Sequence, residues 1–173
     1  MKPIALIGIS GAGKSRIGRT LAARLDAPLL DVDAEVVRRT GRTIVEIFAA
    51  DGERGFRELE RVVTVEALAT ASIVSLGGGA PMTPAVAEAL RGDGVHVVWL
   101  RVSPHVAALR VGGDDERPLL GGEGVLNRLE RMLAVRGATY AELADQVVDA
   151  DTDDAEAKAE AIVAALMAAE EAR

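Results

Sequence analysis

The chain has 173 residues, 49% of them hydrophobic, and a formal net charge of −7. That length suits one ordinary domain and hides roughly 70% of the surface an unfolded chain exposes, enough for a two- or three-layer core. The acidic balance and 2% aromatic content argue against nucleic acid or an anionic membrane as the main partner. The absence of Cys excludes disulfides and thiolate-held metals.

The first apolar run, "IALIGI" at 4–9, is short and nearly continuous, as strands covered on both faces are. Ile17, Leu21 and Leu25 follow at helical spacing. "APLLDV" (27–32) reads as a second strand, and 53–68 as a helix through Phe56, Leu59, Val63 and Ala67. "SIVSLGGG" (72–79) is a third strand. "TPAVAEAL" places Thr83 to cap a helix with Pro84 at its first position. "VHVVWLR" (95–101) is a fourth strand, and "SPHVAALR" repeats the cap with Ser103 and Pro104. "GGDDERPLLGGEG" (112–124) fits no period and reads as a lid or binding loop. "QVVDA" (146–150) is a fifth strand. Asp153 and Glu156 form an expected capping pair for a last helix through Ile162, Leu166 and Met167.

Alternating strand and helix predicts an α/β fold with a parallel sheet and right-handed crossovers. With no repeat and no linker, 1–173 reads as a single domain. No apolar stretch reaches membrane-spanning length and no secretory h-region is present, so the expectation is a cytoplasmic protein. His96 and His105 are too few for a His-based metal site and are read as structural or solvated.

"GISGAGKS" (8–15) matches G-x-x-x-x-G-K-[ST] between a strand-like and a helix-like segment. Glycines let backbone N–H groups converge on phosphate oxygens. Lys14 supplies charge to the β- and γ-phosphates, and Ser15 offers a hydroxyl to Mg²⁺. The next helix directs its positive end at the same anion.

"LLDVDAE" puts Asp31 and Asp33 two apart after the second strand. In extended backbone both point to one side, where one orients Mg²⁺ and the other accepts a proton from an acceptor hydroxyl. A plain helix cap at Asp33 is the alternative. Arg57, Glu60 and Arg61 share one helix face, and Arg57 beside Phe56 suits a buried cation oriented by Glu60. Arg117 falls in the irregular segment, and Arg136 one turn before Tyr140. Gly77 to Gly79 suit a main chain that a ligand approaches closely. Ser75 suits either the Mg²⁺ region or a bond to backbone.

Together these pieces resemble shikimate kinase over nearly the whole chain: "GISGAGKS", "DVD" at 31–33, "TGRTIVEIFAADGERGFRELE" at 40–60, "LGGG" at 76–79, "RPLL" at 117–120, and Arg136 with Tyr140. The resemblance implies a P-loop kinase of the nucleoside monophosphate kinase type. Its five-stranded parallel sheet would have order 2-3-1-4-5 and helices on both faces. It implies transfer of the γ-phosphoryl of ATP to the 3-hydroxyl of shikimate with Mg²⁺, by a likeness of a cytoplasmic monomer acting on small molecules. The substrate region would span about 33–61 and the lid about 112–124.

By the same resemblance Asp33 is the base and holds substrate, with Lys14 and Arg117 also catalytic. Arg57 and Arg136 grip the shikimate carboxylate against Gly78 and Gly79. Gly11, Ala12, Gly13, Lys14, Ser15, Arg16, Arg110 and Arg117 hold nucleotide, and Ser15 and Asp31 hold the metal. Two stretches depart from the family pattern. "DADTDDAEA" after the last strand has no arginine, which leaves the base preference open, and "RGATY" stands where R-x-P-L-Y is common. A kinase for another sugar acid and a non-catalytic nucleotide-binding module are the rival readings.

Overall fold

The computed structural model describes residues 2–92, 94–111 and 124–171. Five strands, β1 (Ile4–Ile7), β2 (Leu29–Asp31), β3 (Ile73–Ser75), β4 (His96–Arg101) and β5 (Gln146–Asp149), form one parallel sheet of order β2-β3-β1-β4-β5. Residues 4 to 7 are completely buried, because β1 is the central strand and both its faces are covered.

The helices are α1 (Lys14–Leu25), α2 (Val32–Thr40), α3 (Ile44–Thr70), α4 (Pro84–Arg91), α5 (Pro104–Val111), α6 (Val125–Leu143) and α7 (Ala155–Glu171). The crossover from β1 to β2 runs opposite to those that lead on to β4 and β5. Right-handed crossovers then place helices on both faces. α1 packs on α7, while α3, α4, α6 and α5 pack in series. The direction changes at β1, so a crevice opens beyond the carboxyl ends of β1 and β3.

α3 begins well before residue 53. Thr43 and Glu46 close a reciprocal capping box at its start. Gly52 interrupts it with φ +69° and ψ −177°, a conformation essentially confined to glycine. Phe48 and Phe56 stack across this break at 4.7 Å, which fixes the angle at which Arg57 enters the crevice.

Three expected local features differ. Thr83 occupies the N-cap of α4, but among the described residues its side chain makes no capping bond, and the N–H groups of Val86 and Ala87 bond to the Thr83 carbonyl. The last helix is capped by Asp154, whose Oδ1 accepts from Ala157 N at 2.9 Å, because Asp153 turns away to Arg16. Asp31 and Asp33 do not share extended backbone. Asp31 is the extended N-cap of α2, accepting from Ala34 N, and Asp33 lies within its first turn.

Candidate active site

The glycine-rich loop joins β1 to α1 as its strand–loop–helix context requires. Gly11 has φ +82°, and a Cβ there would lie 2.7 Å from the Ala107 carbonyl, so the residue must be glycine for α5 to abut the loop. Gly13, also at positive φ, is the N-cap of α1. Lys14 Nζ curls over the loop and donates to the carbonyls of Gly8 and Ile9 at 2.8 and 3.0 Å. Ser15 Oγ donates to Asp31 Oδ2 at 2.6 Å, so the end of β2 and the start of α1 bring two oxygen donors together.

The three glycines after β3 form the hub of the second half of the site. A Cβ on Gly77 would run into Oε1 of Glu60 and lie 3.3 Å from Oδ1 of Asp33. One on Gly78 would lie 3.4 Å from Arg136 Nη1 and 3.3 Å from the Gly8 carbonyl of the phosphate loop. One on Gly79 would lie 2.5 Å from Arg57 Cζ. A bare strip of main chain is thus flanked by Asp33, Glu60, Arg57 and Arg136, and touches the phosphate loop at its middle. Tyr140, completely buried one turn after Arg136, donates its hydroxyl to the Gly78 carbonyl and pins that strip to α6.

Arg57 Nη1 donates to Glu60 Oε2 at 2.6 Å and its Cζ stands 5.4 Å from the Phe56 ring. Glu60 is 1% exposed, and among the described residues its Oε1 has no hydrogen-bond partner. Burial pushes its pKa above the ordinary carboxylate range, against the lowering pull of Arg57 and, more weakly, Arg136; the Asp33 charge adds to the rise. Burial likewise raises the Tyr140 phenol.

Of the expected residues, Asp33, Arg57, Gly78, Gly79 and Arg136 converge on the strip, and Ser15 meets Asp31. Arg61 does not join Arg57: it turns outward to Glu58, at 2.5 Å. Ser75 is buried and pairs with Asp31 across β2 and β3. His96 is buried with Nε2 3.1 Å from Gln146 Oε1, and His105 is exposed. Arg117 and the expected lid over 112–124 lie outside the described residues except for Gly124, the N-cap of α6.

A cleft beside the phosphate loop is lined by Ala12, Gly13, Arg16, Ile17, Arg110, Ala150, Thr152, Asp153, Ala155 and Lys158. It brings Ala12, Arg16 and Arg110 together as expected. Lys158 is the residue that sequence reasoning missed. Its signal was a lysine at i−4 from Ile162 and i−8 from Leu166, on the stripe that α7 buries.

A family model for shikimate kinase matches residues 10–167. The chain belongs to the shikimate kinase family. It is 46% identical to a shikimate kinase of Thermobifida fusca over 172 residues, covering 97% of each protein. It is 43% identical to one of Mycobacterium avium over 169 residues, covering 97% of this chain and 95% of that one. Among solved structures, a shikimate kinase from Acinetobacter baumannii in complex with shikimate superposes with a TM-score of 0.91 at 34% identity, covering 97% of this chain and 94% of that one. Membership makes ATP the co-substrate. Among the described residues no helix is long and apolar enough to cross a membrane.

Proposed function

We propose that this shikimate kinase works by clamping its acceptor between two guanidinium groups on the glycine strip. The observation that carries the reading is the strip itself: Gly78 lies against Gly8 of the phosphate loop and beside Arg136, and Gly79 against Arg57. Donor and acceptor sites therefore share one short piece of main chain.

Arg57 and Arg136 hold the carboxylate of shikimate, each with a planar fork suited to that anion. The ring then has one orientation, and its 3-hydroxyl faces Asp33. Fixing that orientation converts an encounter into a positioned attack. The hydroxyl oxygen forms a bond to the γ-phosphorus, the bond from that phosphorus to the β–γ bridging oxygen breaks, and ADP leaves. Asp33 takes the hydroxyl proton as the new bond forms. Lys14 exchanges its loop carbonyls for the β- and γ-phosphates, and Arg117 is assigned to charge on the transferring group.

Ser15 and Asp31 suit Mg²⁺, since a hydroxyl and a carboxylate oxygen stand 2.6 Å apart beside the phosphate loop. Among the described residues no group of three or more His, Cys, Asp or Glu could hold a metal. That fits an ion that keeps waters and relies on phosphates for its remaining oxygens. When bound, Mg²⁺ supplies charge neutralisation at the β- and γ-oxygens. Asp33, Arg57 and Arg136 all come from one chain, which supports a monomer as the working unit, in the cytoplasm where ATP is available.

The test is ADP release coupled to a panel of acceptors, with ATP and GTP in parallel. Shikimate alone should stimulate release. Stimulation by gluconate instead, or tight ATP binding with no acceptor-stimulated release, would overturn the reading.

A further inference from the structure

Tyr140 is the single tyrosine of the chain, and it is completely buried one turn after Arg136 in α6. Its ring packs against Trp99 of β4, with centroids 5.9 Å apart and planes inclined at 46°. A ring that only filled space there would need no hydroxyl, and a buried hydroxyl is costly unless it is bonded.

The hydroxyl donates to the Gly78 carbonyl. A phenol has one proton, and that bond uses it. Towards any further neighbour the oxygen can act only as an acceptor. Arg136 is the charged donor at hand: its Nη1 lies 3.4 Å from where a Cβ on Gly78 would stand. Burial raises the phenol pKa, and Arg136 opposes the rise through its charge and a side-chain hydrogen bond. The polar groups therefore run in one direction, from guanidinium to phenol to carbonyl, and each bond in such a chain polarises the next.

The backbone of α6 gives Arg136 little restraint of its own. Gly137 follows it inside the helix, where glycine is a weak former. Among the described residues a Cβ at 137 would meet only Leu133 Cδ1, at an ordinary 3.6 Å, so packing does not demand glycine there. The phenol ties the neighbouring guanidinium to Gly78 instead. A Cβ on Gly78 would also lie 3.3 Å from the Gly8 carbonyl, so the tie reaches the phosphate loop.

We propose that Tyr140 is a positioning residue for the acceptor: its hydroxyl holds the Arg136 fork against Gly78, fixing one part of the guanidinium and presenting the rest to the acceptor carboxylate. It acts through Arg136 and touches no substrate. This rests on the reading of Arg136 as a carboxylate anchor.

The test is a double-mutant cycle on the whole protein. Tyr140→Phe keeps the ring and loses only the hydroxyl. KM for shikimate should rise by about tenfold, the scale of a lost hydrogen bond to a charged group, while the Kd for ADP stays within about twofold. KM does not depend on how much of the sample is folded, so a destabilised variant still gives the answer. In the Arg136→Ala background the same change should raise KM by less than about twofold, because the group through which it acts has gone. An unchanged KM in Tyr140→Phe overturns the inference, whatever happens to Tm. So does a full tenfold rise on top of Arg136→Ala.

A second readout needs no substitution. Fluorotyrosine incorporated during expression labels position 140 alone, since the chain has one tyrosine. Its fluorine resonance should move as shikimate saturates the protein, because the carboxylate draws on the guanidinium that the phenol holds. A resonance unmoved at saturation overturns the inference as well. Wild-type KM for shikimate in Arg136→Ala alone would instead overturn the anchor reading beneath it.

Discussion

Arg57 and Glu60 form a pair of unequal burial: the guanidinium side chain is 27% exposed, and the carboxylate that receives it is 1% exposed. The carboxylate lies under the site and the cation faces the crevice. Glu60 thus sets where the Arg57 fork points, although it offers the ligand no surface of its own.

Glu60→Gln keeps the shape and removes the charge. A hydrogen bond to a charged group contributes about 1.5–3 kcal/mol, so a loosened Arg57 should raise KM for shikimate by roughly 10- to 100-fold. KM for ATP should stay near the wild-type value. Steady-state kinetics with each substrate varied in turn checks this, and an unchanged shikimate KM would show that Arg57 is oriented by other means.

The same carboxyl gives opposite pH trends in stability and affinity. Its folded-state pKa is raised above 4.5, so the native state holds this proton more tightly than the unfolded chain. The stability it contributes is fully present below the unfolded value and is lost as pH climbs through the folded one. Shikimate affinity should move the other way, because the ionised carboxylate is the form that holds Arg57. Thermal melts and shikimate KM across the acid range, in wild type and Glu60→Gln, test both. The variant should lack both trends, so its Tm relative to wild type should rise with pH.

Gly77 and Gly79 flank Gly78 in the strip but face different neighbours. A methyl at Gly79 meets the far end of the flexible Arg57 side chain, which can swing aside. Gly79→Ala should therefore move Tm little while raising shikimate KM by about tenfold, since the fork is displaced. A methyl at Gly77 meets the enclosed Glu60 carboxylate. Gly77→Ala should lower Tm by roughly 3–10 °C, the equivalent of 1–3 kcal/mol of overpacking. Calorimetric melts with parallel kinetics distinguish the two.

Asp33→Asn retains a hydrogen-bonding side chain beside Gly77 but no base. Turnover should fall by roughly 10²–10⁴, the usual contribution of a positioned proton acceptor. Nucleotide affinity, measured by ADP titration, should hold. Undiminished turnover would remove Asp33 from the proton transfer.

Arg136→Ala removes one of the two proposed carboxylate anchors and leaves Tyr140 on the Gly78 carbonyl. kcat/KM for shikimate should collapse while the Kd for ADP is kept. Wild-type-like kcat/KM for shikimate would refute the clamp.

The strand order, the phosphate loop and the clustering of Asp33, Arg57 and Arg136 were all legible in advance. The apolar runs marked the strands. The glycine spacing marked the loop between β1 and α1. The ordered set of motifs resembled one family. Each of these is carried by residues close together in the chain, where backbone geometry and periodicity leave few choices. The shared extended geometry of Asp31 and Asp33 was not borne out, because α2 starts at Val32 and Asp31 caps it. The Asp153–Glu156 cap failed for a different reason: Asp153 is drawn to Arg16, 137 positions away.

Local pattern alone therefore determined that a glycine-rich loop joins β1 to α1 and that the parallel sheet is covered on both faces. Tertiary packing decided that Glu60 is sealed beneath Gly77 with one oxygen unpartnered among the described residues, that Tyr140 holds Gly78, and that Lys158 and Arg110 converge on the loop after β5. Those outcomes depend on desolvation and charge pairing between distant segments, and such energies exist only once the segments have been brought into contact.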